Sequence, residues 1–124
     1  MPDWGARRIA VGMVFAMLIV GGWTPALASA RDQAREQVEF GINVAQKGLW
    51  KEAIYRWEKA VEIDPTYAAG HNNLAIGYEH EGQFDKARAA YEKALELDPH
   101  NSMIRQNYEL FKEINDRANR QSPK

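Results

Sequence analysis

Apolar positions in the second half of the chain fall on two helical stripes separated by a glycine-containing turn. In the first stripe, Leu74, Ala75 and Tyr78 recur at spacings that keep them on one face of a helix. Gly82 follows, and a second stripe of small and aromatic residues then begins, made of Phe84, Ala87, Tyr91 and Ala94. Pro99 ends this stripe, because proline cannot continue a helix interior. The pattern predicts a helical hairpin.

The same pattern occurs thirty-four residues earlier in the chain. The matched pairs are Gly48 and Gly82, Trp50 and Phe84, Ala53 and Ala87, Trp57 and Tyr91, Ala60 and Ala94, Asp64 and Asp98, and Pro65 and Pro99. A fixed period of this length predicts stacked helical hairpins. Both units resemble the tetratricopeptide repeat family, whose small-residue, aromatic and terminal-proline positions these residues occupy. The resemblance implies an all-α fold, a short α-solenoid of two repeats at 34–67 and 68–101. It does not specify a function, because the family is defined by packing residues.

The hydrophobic pattern also gives expected helix boundaries. The predicted helices are Asp32–Gln46, capped by Asp32, then Leu49–Ile63, Tyr67–Glu81 and Phe84–Leu97.

A last helix is expected where the repeat pattern lapses, over residues 102–119. Asn101 or Ser102 can cap it, and its apolar positions are Ile104, Tyr108, Phe111 and Ile114. No partner hairpin follows, so we predict a capping helix that covers the end of the second repeat. The repeat domain would then span 31–119, with 120–124 as a flexible tail.

The N-terminus has the features of a secretory signal peptide. Arg7 and Arg8 precede the apolar run Ile9–Val20, and small-x-small cleavage sites end at Ala28 and at Ala30. We therefore predict a signal peptide over residues 1–30. The alternative is an uncleaved membrane anchor: the dense apolar run is shorter than the roughly 20 residues that span a bilayer, but the uncharged stretch continues to Ala30. In both cases the positive-inside bias places the repeats outside the cytoplasm. With a cleaved signal peptide the protein would be periplasmic or secreted, and with an uncleaved one it would be anchored to the inner membrane.

Composition narrows the function classes. The formal net charge is −1, and −2 without residues 1–30, so nucleic acid is not an expected partner. The chain has no cysteine, which excludes disulfides, a cysteine nucleophile and thiolate metal sites.

No enzyme signature is evident in the sequence. His71 and His80 point to opposite sides of one predicted helix, and His100 lies in a turn, so no metal site is expected. The carboxylates alternate with lysine and arginine along helices, which is typical of solvated faces. Four aromatic residues occupy packing positions rather than a stacking site for sugars or bases: Trp50, Trp57, Phe84 and Tyr91. We expect a protein without catalytic residues, metal or cofactor.

A candidate binding surface follows from the resemblance, because in this family the first helix of each repeat lines a concave groove that holds peptide segments. The corresponding residues here are Arg35, Val38, Ile42, Gln46, Asn72, Asn73, Ile76, Glu79, His80, Gln106, Asn107 and Leu110. Four aliphatic residues would form the floor: Val38, Ile42, Ile76 and Leu110. We predict that the groove holds a peptide or a helix bearing apolar side chains. The alternative is that these residues bury against the adjoining hairpin, or against the leader or the tail, and bind nothing.

The sequence therefore favours a non-catalytic, exported adaptor or scaffold that binds a segment of an envelope protein. Val38 and Ile42 occupy positions where repeats that clamp a terminal carboxylate carry polar residues, so that subtype is not supported. The competing interpretation is a self-associating structural module, such as a homodimer, without a peptide ligand. Concentration-dependent size would distinguish the two.

Overall fold

The computed structural model describes residues 25–122, which form five helices joined by short turns. They are α1 (Pro25–Gln46), α2 (Trp50–Ile63), α3 (Ala68–His80), α4 (Phe84–Leu97) and α5 (Ser102–Gln121). Helices α1 and α2 form one hairpin and α3 and α4 the next, with α3 packed on the first hairpin and α5 on α4. The predicted all-α solenoid is confirmed. Arg7, Arg8 and the apolar run Ile9–Val20 lie outside the described residues.

The start of α1 differs from the expectation. Asp32 was predicted to cap the helix, but α1 begins at Pro25 and passes through Asp32, which is exposed and pairs with Arg35 at 2.9 Å. Alanine-rich sequence just before Asp32 favours helix, and proline is tolerated in a first helical turn. The α1 helix therefore covers both small-x-small sequences. None of the helices within residues 25–122 is long and apolar enough to cross a membrane.

The two hairpin turns have the same geometry. Gly48 and Gly82 adopt φ values of 79° and 73°, a left-handed conformation that favours glycine. The backbone N–H of Leu49 donates to Val44 O at 3.0 Å, and that of Gln83, its repeat equivalent, donates to Tyr78 O at 2.8 Å. The turns therefore set the same register in both repeats.

The core of the first repeat is organised around Trp57, which is 2% exposed. Its ring lies between Gly41 of α1 and Gly77 of α3; a Cβ at Gly41 would overlap the ring, and one at Gly77 would lie 2.7 Å from Ile54 and 2.9 Å from the ring. The indole Nε1 donates a hydrogen bond to Val38 O at 3.2 Å. The absence of a side chain at Gly41 therefore allows α1 to approach α2 closely.

The core of the second repeat is an aromatic cluster. Tyr91 is 1% exposed and packs against Tyr108 and Phe111 of α5, with ring centroids 5.6 and 5.5 Å away. Phe84 was expected in the core but is 46% exposed, because it stands at the first residue of α4 and meets only the edge of the cluster, 6.4 Å from Phe111.

The capping helix α5 begins as predicted. The Asn101 side chain accepts a hydrogen bond from the backbone N–H of Ile104 at 3.1 Å. Ile104 and Phe111 are buried, but Ile114, expected on the packing face, is 53% exposed. Since Phe111 already lies opposite the first residue of α4, the part of α5 beyond it has no turn of α4 to pack against. The helix continues to Gln121, two residues past the expected end.

Candidate peptide-binding groove

Three helices, α1, α3 and α5, are the first helices of successive repeat units. Helix α1 contacts α3 directly, and the side-chain amide of Asn107 on α5 donates to Asn72 Oδ1 on α3 at 3.2 Å. Each helix has an aliphatic residue at the same repeat position: Ile42, Ile76 and Leu110. Ile42 is 37% exposed and Leu110 55%, and Ile76 is half-buried. We call these three residues the aliphatic line.

An apolar pocket of about 280 Å³ lies beside this line, between the first two repeats. Its lining residues are Ile42, Ala45, Gln46, Trp50, Trp57, Asn73 and Ile76. Four of these were predicted groove residues: Ile42, Gln46, Asn73 and Ile76. The two tryptophans were assigned to packing, and only the spatial proximity of α2 to the groove brings them into the pocket.

His80 stacks on one of the pocket residues. Its ring centroid is 3.8 Å from that of Trp50, with 12° between the planes. His71 lies elsewhere on α3, with its Nε2 2.8 Å from Pro65 O. Within residues 25–122, no group of three or more His, Asp or Glu side chains is placed to hold a metal ion.

Two predicted groove residues are not accessible. Val38 is 4% exposed and Asn72 is 3% exposed. Both occupy the same repeat position, and both are too deeply buried to contact a ligand in this structure. Asn72 instead accepts the hydrogen bond from Asn107 and joins α3 to α5. Of the four aliphatic residues predicted to form the floor, only the three of the aliphatic line are therefore accessible.

The groove amides are partly engaged within the protein. Asn73 Nδ2 donates to Ala69 O at 2.8 Å, one turn earlier in α3. Asn107 uses its Nδ2 group on Asn72. Gln46 and Gln106 are exposed and keep their side chains at the surface.

The charges around the groove are mainly acidic. Glu79 and Glu113 occupy equivalent positions on α3 and α5, and Glu39 is exposed on α1. Glu79 accepts a hydrogen bond from Tyr91 Oη at 2.9 Å, while Glu113 pairs with Arg117. Burial, together with this bond to Glu79, raises the pKa of Tyr91 above its usual range. Arg35, the groove cation of α1, pairs with Asp32.

Two overlapping stretches of the chain match models of one repeat type. Residues 44–80 match a family model described as TPR repeat, and residues 68–101 match one described as tetratricopeptide repeat. No curated protein matches the chain significantly.

Proposed function

We propose that this chain, whose residues 44–101 carry tetratricopeptide repeats, is a non-catalytic adaptor or scaffold that holds a peptide or helix of another protein in its concave groove. Such repeats generally mediate protein–protein interactions and are generally non-catalytic. The protein acts outside the cytoplasm, on a component of the cell envelope. The order of basic, apolar and small residues in its first thirty positions supports export.

The observation that supports binding is the exposed aliphatic line beside an apolar pocket. Fully burying an aliphatic side chain contributes about 1.5–3 kcal/mol relative to leaving it exposed. Covering three partly exposed side chains would therefore contribute a few kcal/mol to binding, enough to select a partner with matching apolar side chains.

A photocrosslinking experiment tests this function. A photoreactive residue at Gln46, which is exposed and lines the pocket, should capture a discrete foreign protein from the native envelope fraction. The same residue at Glu62, exposed on α2 outside the groove residues, should not capture that protein. Capture at both positions, or at neither, would contradict the groove as the binding site.

Substitutions in the aliphatic line provide a second test of the proposed function. Ile42→Asp combined with Ile76→Asp should reduce capture by tenfold or more, because a charge would be desolvated in the interface. Tyr55→Asp, at a half-exposed site on α2 that does not line the pocket, should leave capture unchanged. Circular dichroism should show unchanged helicity for the double variant; a loss of helicity would mean that these residues belong to the core.

Self-association is the second candidate function. Helix α5 leaves three large apolar side chains more than half exposed: Met103, Leu110 and Ile114. A homodimer that covers them would sediment faster as concentration rises, and the Gln46 crosslink would contain only this chain. A monomer at all concentrations would exclude this alternative.

A further inference from the structure

Helix α1 passes through both of the cleavage sequences that the N-terminus contains. The helix begins at Pro25, whereas the two small-x-small sequences end at Ala28 and at Ala30. A helical backbone is held by its own hydrogen bonds from one turn to the next, and proteolysis of such a segment proceeds through a locally unwound form. In the folded protein, each of the two bonds is therefore cut only after the start of α1 has unwound.

The two bonds differ in how far this unwinding must reach. Helices fray from their ends inward, so the bond after Ala28 becomes accessible first. Ser29, which follows this bond, is exposed, and its Oγ accepts a hydrogen bond from Gln33 of the same helix. The bond after Ala30 becomes accessible only when unwinding extends further into α1, toward Ala34, which is 0% exposed.

The second bond also adjoins contacts that hold α1 to the turn between α2 and α3. Arg31 Nε donates to Asp64 Oδ2 at 2.5 Å, and Arg31 Nη2 donates to Thr66 Oγ1 at 3.1 Å. The same guanidinium lies 4.8 Å from the Tyr67 ring centroid. We call these three contacts the Arg31 clamp. Unwinding α1 far enough to cut after Ala30 breaks the clamp, so the folded domain protects this bond.

A chain that begins at Ser29 also keeps a capped first helix. Serine is a favoured N-cap residue, and an acidic residue three positions later completes a capping-box pattern. Ser29 and Asp32 have this spacing. A chain that begins at Arg31 lacks the serine and therefore loses the pattern. Removal of the leader after Ala28 thus leaves α1 with its own N-terminal cap and with the Arg31 clamp.

We infer that the mature protein begins at Ser29, because the folded domain leaves the bond after Ala28 accessible and protects the bond after Ala30. This inference rests on the proposed export of the protein and specifies how the chain is processed. A peptidase that cleaves after small residues hydrolyses the amide. One water is consumed: the carbonyl carbon of Ala28 takes the hydroxyl, and the nitrogen of Ser29 takes the proton.

Limited proteolysis of the full chain tests the protection. Elastase has a small specificity pocket and cleaves after small residues, and mass spectrometry identifies the new N-terminus. The folded protein should give a chain that begins at Ser29, and a chain that begins at Arg31 should form roughly tenfold more slowly. A main product that begins at Arg31 or later, or one that retains residues before Ser29, would refute the inference.

Asp64→Asn tests the Arg31 clamp without altering the sequence around either bond. Because Arg31 loses its charged partner, cleavage after Ala30 should become about fivefold faster relative to cleavage after Ala28. The ratio of the two rates separates this local effect from a general loss of stability. Asp116→Asn changes an exposed aspartate on α5 and should leave the ratio unchanged. The same ratio in the parent and Asp64→Asn proteins would refute the clamp as the cause of protection.

The N-terminus of the native protein separates this inference from the proposed function. Mass spectrometry of the chain from the envelope fraction should show a protein that begins at Ser29, which supports both. A chain that begins at Arg31, or an intact chain held in the membrane, would refute the inference but preserve export. An intact chain in the cytoplasmic fraction would refute export as well.

Discussion

At the scale of single residues, the two repeats fill equivalent core positions with side chains of different sizes. Trp57 fits between two glycines, Gly41 and Gly77. At the equivalent positions of the next repeat, the smaller Tyr91 replaces the tryptophan, while Ala75 and Phe111 replace the glycines. The volume lost at the centre is restored at its neighbours, so both cores exclude water.

Gly41→Ala tests this fit. Alanine favours an isolated helix by about 1 kcal/mol over glycine, but its Cβ would overlap the Trp57 ring. We expect the free energy of unfolding to fall by about 1–3 kcal/mol, measured by urea denaturation. Gly70→Ala should cost less, because the nearest atom to its Cβ would be Val61 Cγ1 at 3.1 Å, and its other neighbours, in Ala60 and Tyr67, lie at ordinary van der Waals distances. A stabilised Gly41→Ala protein would contradict the close approach of α1 to Trp57.

Asp64 gives the first repeat a dependence on pH. Burial disfavours its charge, but hydrogen bonds from Thr66 and Arg31 outweigh burial and hold its pKa below the ordinary value. The Arg31 guanidinium also lies 4.8 Å from the Tyr67 ring centroid. A carboxyl with a lowered folded-state pKa stabilises the protein above its unfolded-state pKa, and this contribution disappears as pH falls through the folded-state value.

We therefore expect Asp64→Asn to be less stable than the parent protein near neutral pH. The difference should shrink as pH falls below about 4, the unfolded-state pKa of aspartate, in chemical denaturation at a series of pH values. Arg31→Gln should flatten the parent's pH profile in the same window. Parallel profiles for the parent and Asp64→Asn proteins would refute the linkage.

At the scale of elements, α5 ends the solenoid because of its own sequence. The residues of α1 that face α2 are small or apolar: Ala34, Val38, Gly41 and Val44. Their equivalents on α5 are Ser102, Gln106, Glu109 and Lys112. A second helix cannot pack on such a polar side without desolvating it, so α5 is suited to be a cap.

Phe111→Ala should lower the free energy of unfolding by about 3–5 kcal/mol, because the ring is 1% exposed and joins α5 to Tyr91. Ile114→Ala, on the same helix but 53% exposed, should change it by less than about 0.5 kcal/mol. Thermal or urea unfolding measures both. Similar losses for the two variants would mean that α5 packs differently.

At the scale of the whole molecule, much of the fold could be predicted because packing residues recur at a fixed offset. The repeat period gives the hairpins, the glycine turns and the cap at Asn101 from local chemistry alone. The burial of the residues around the groove could not be predicted in this way. The position of Asn72 in the helical pattern predicts a groove residue. Its side chain is instead buried against Asn107, thirty-five residues later in the chain, which donates a hydrogen bond to it. Trp50 and Trp57 enter the pocket only through the packing of α2 beside α1 and α3.

The position of Trp57 determines how the protein unfolds. One side chain of α2 fills space against α1 in its own hairpin and against α3 in the next. The first hairpin cannot open without removing the surface on which α3 packs, and α3 cannot leave without exposing the indole. The boundary between repeats is therefore not a boundary between folding units, and both hairpins should melt together as one cooperative body.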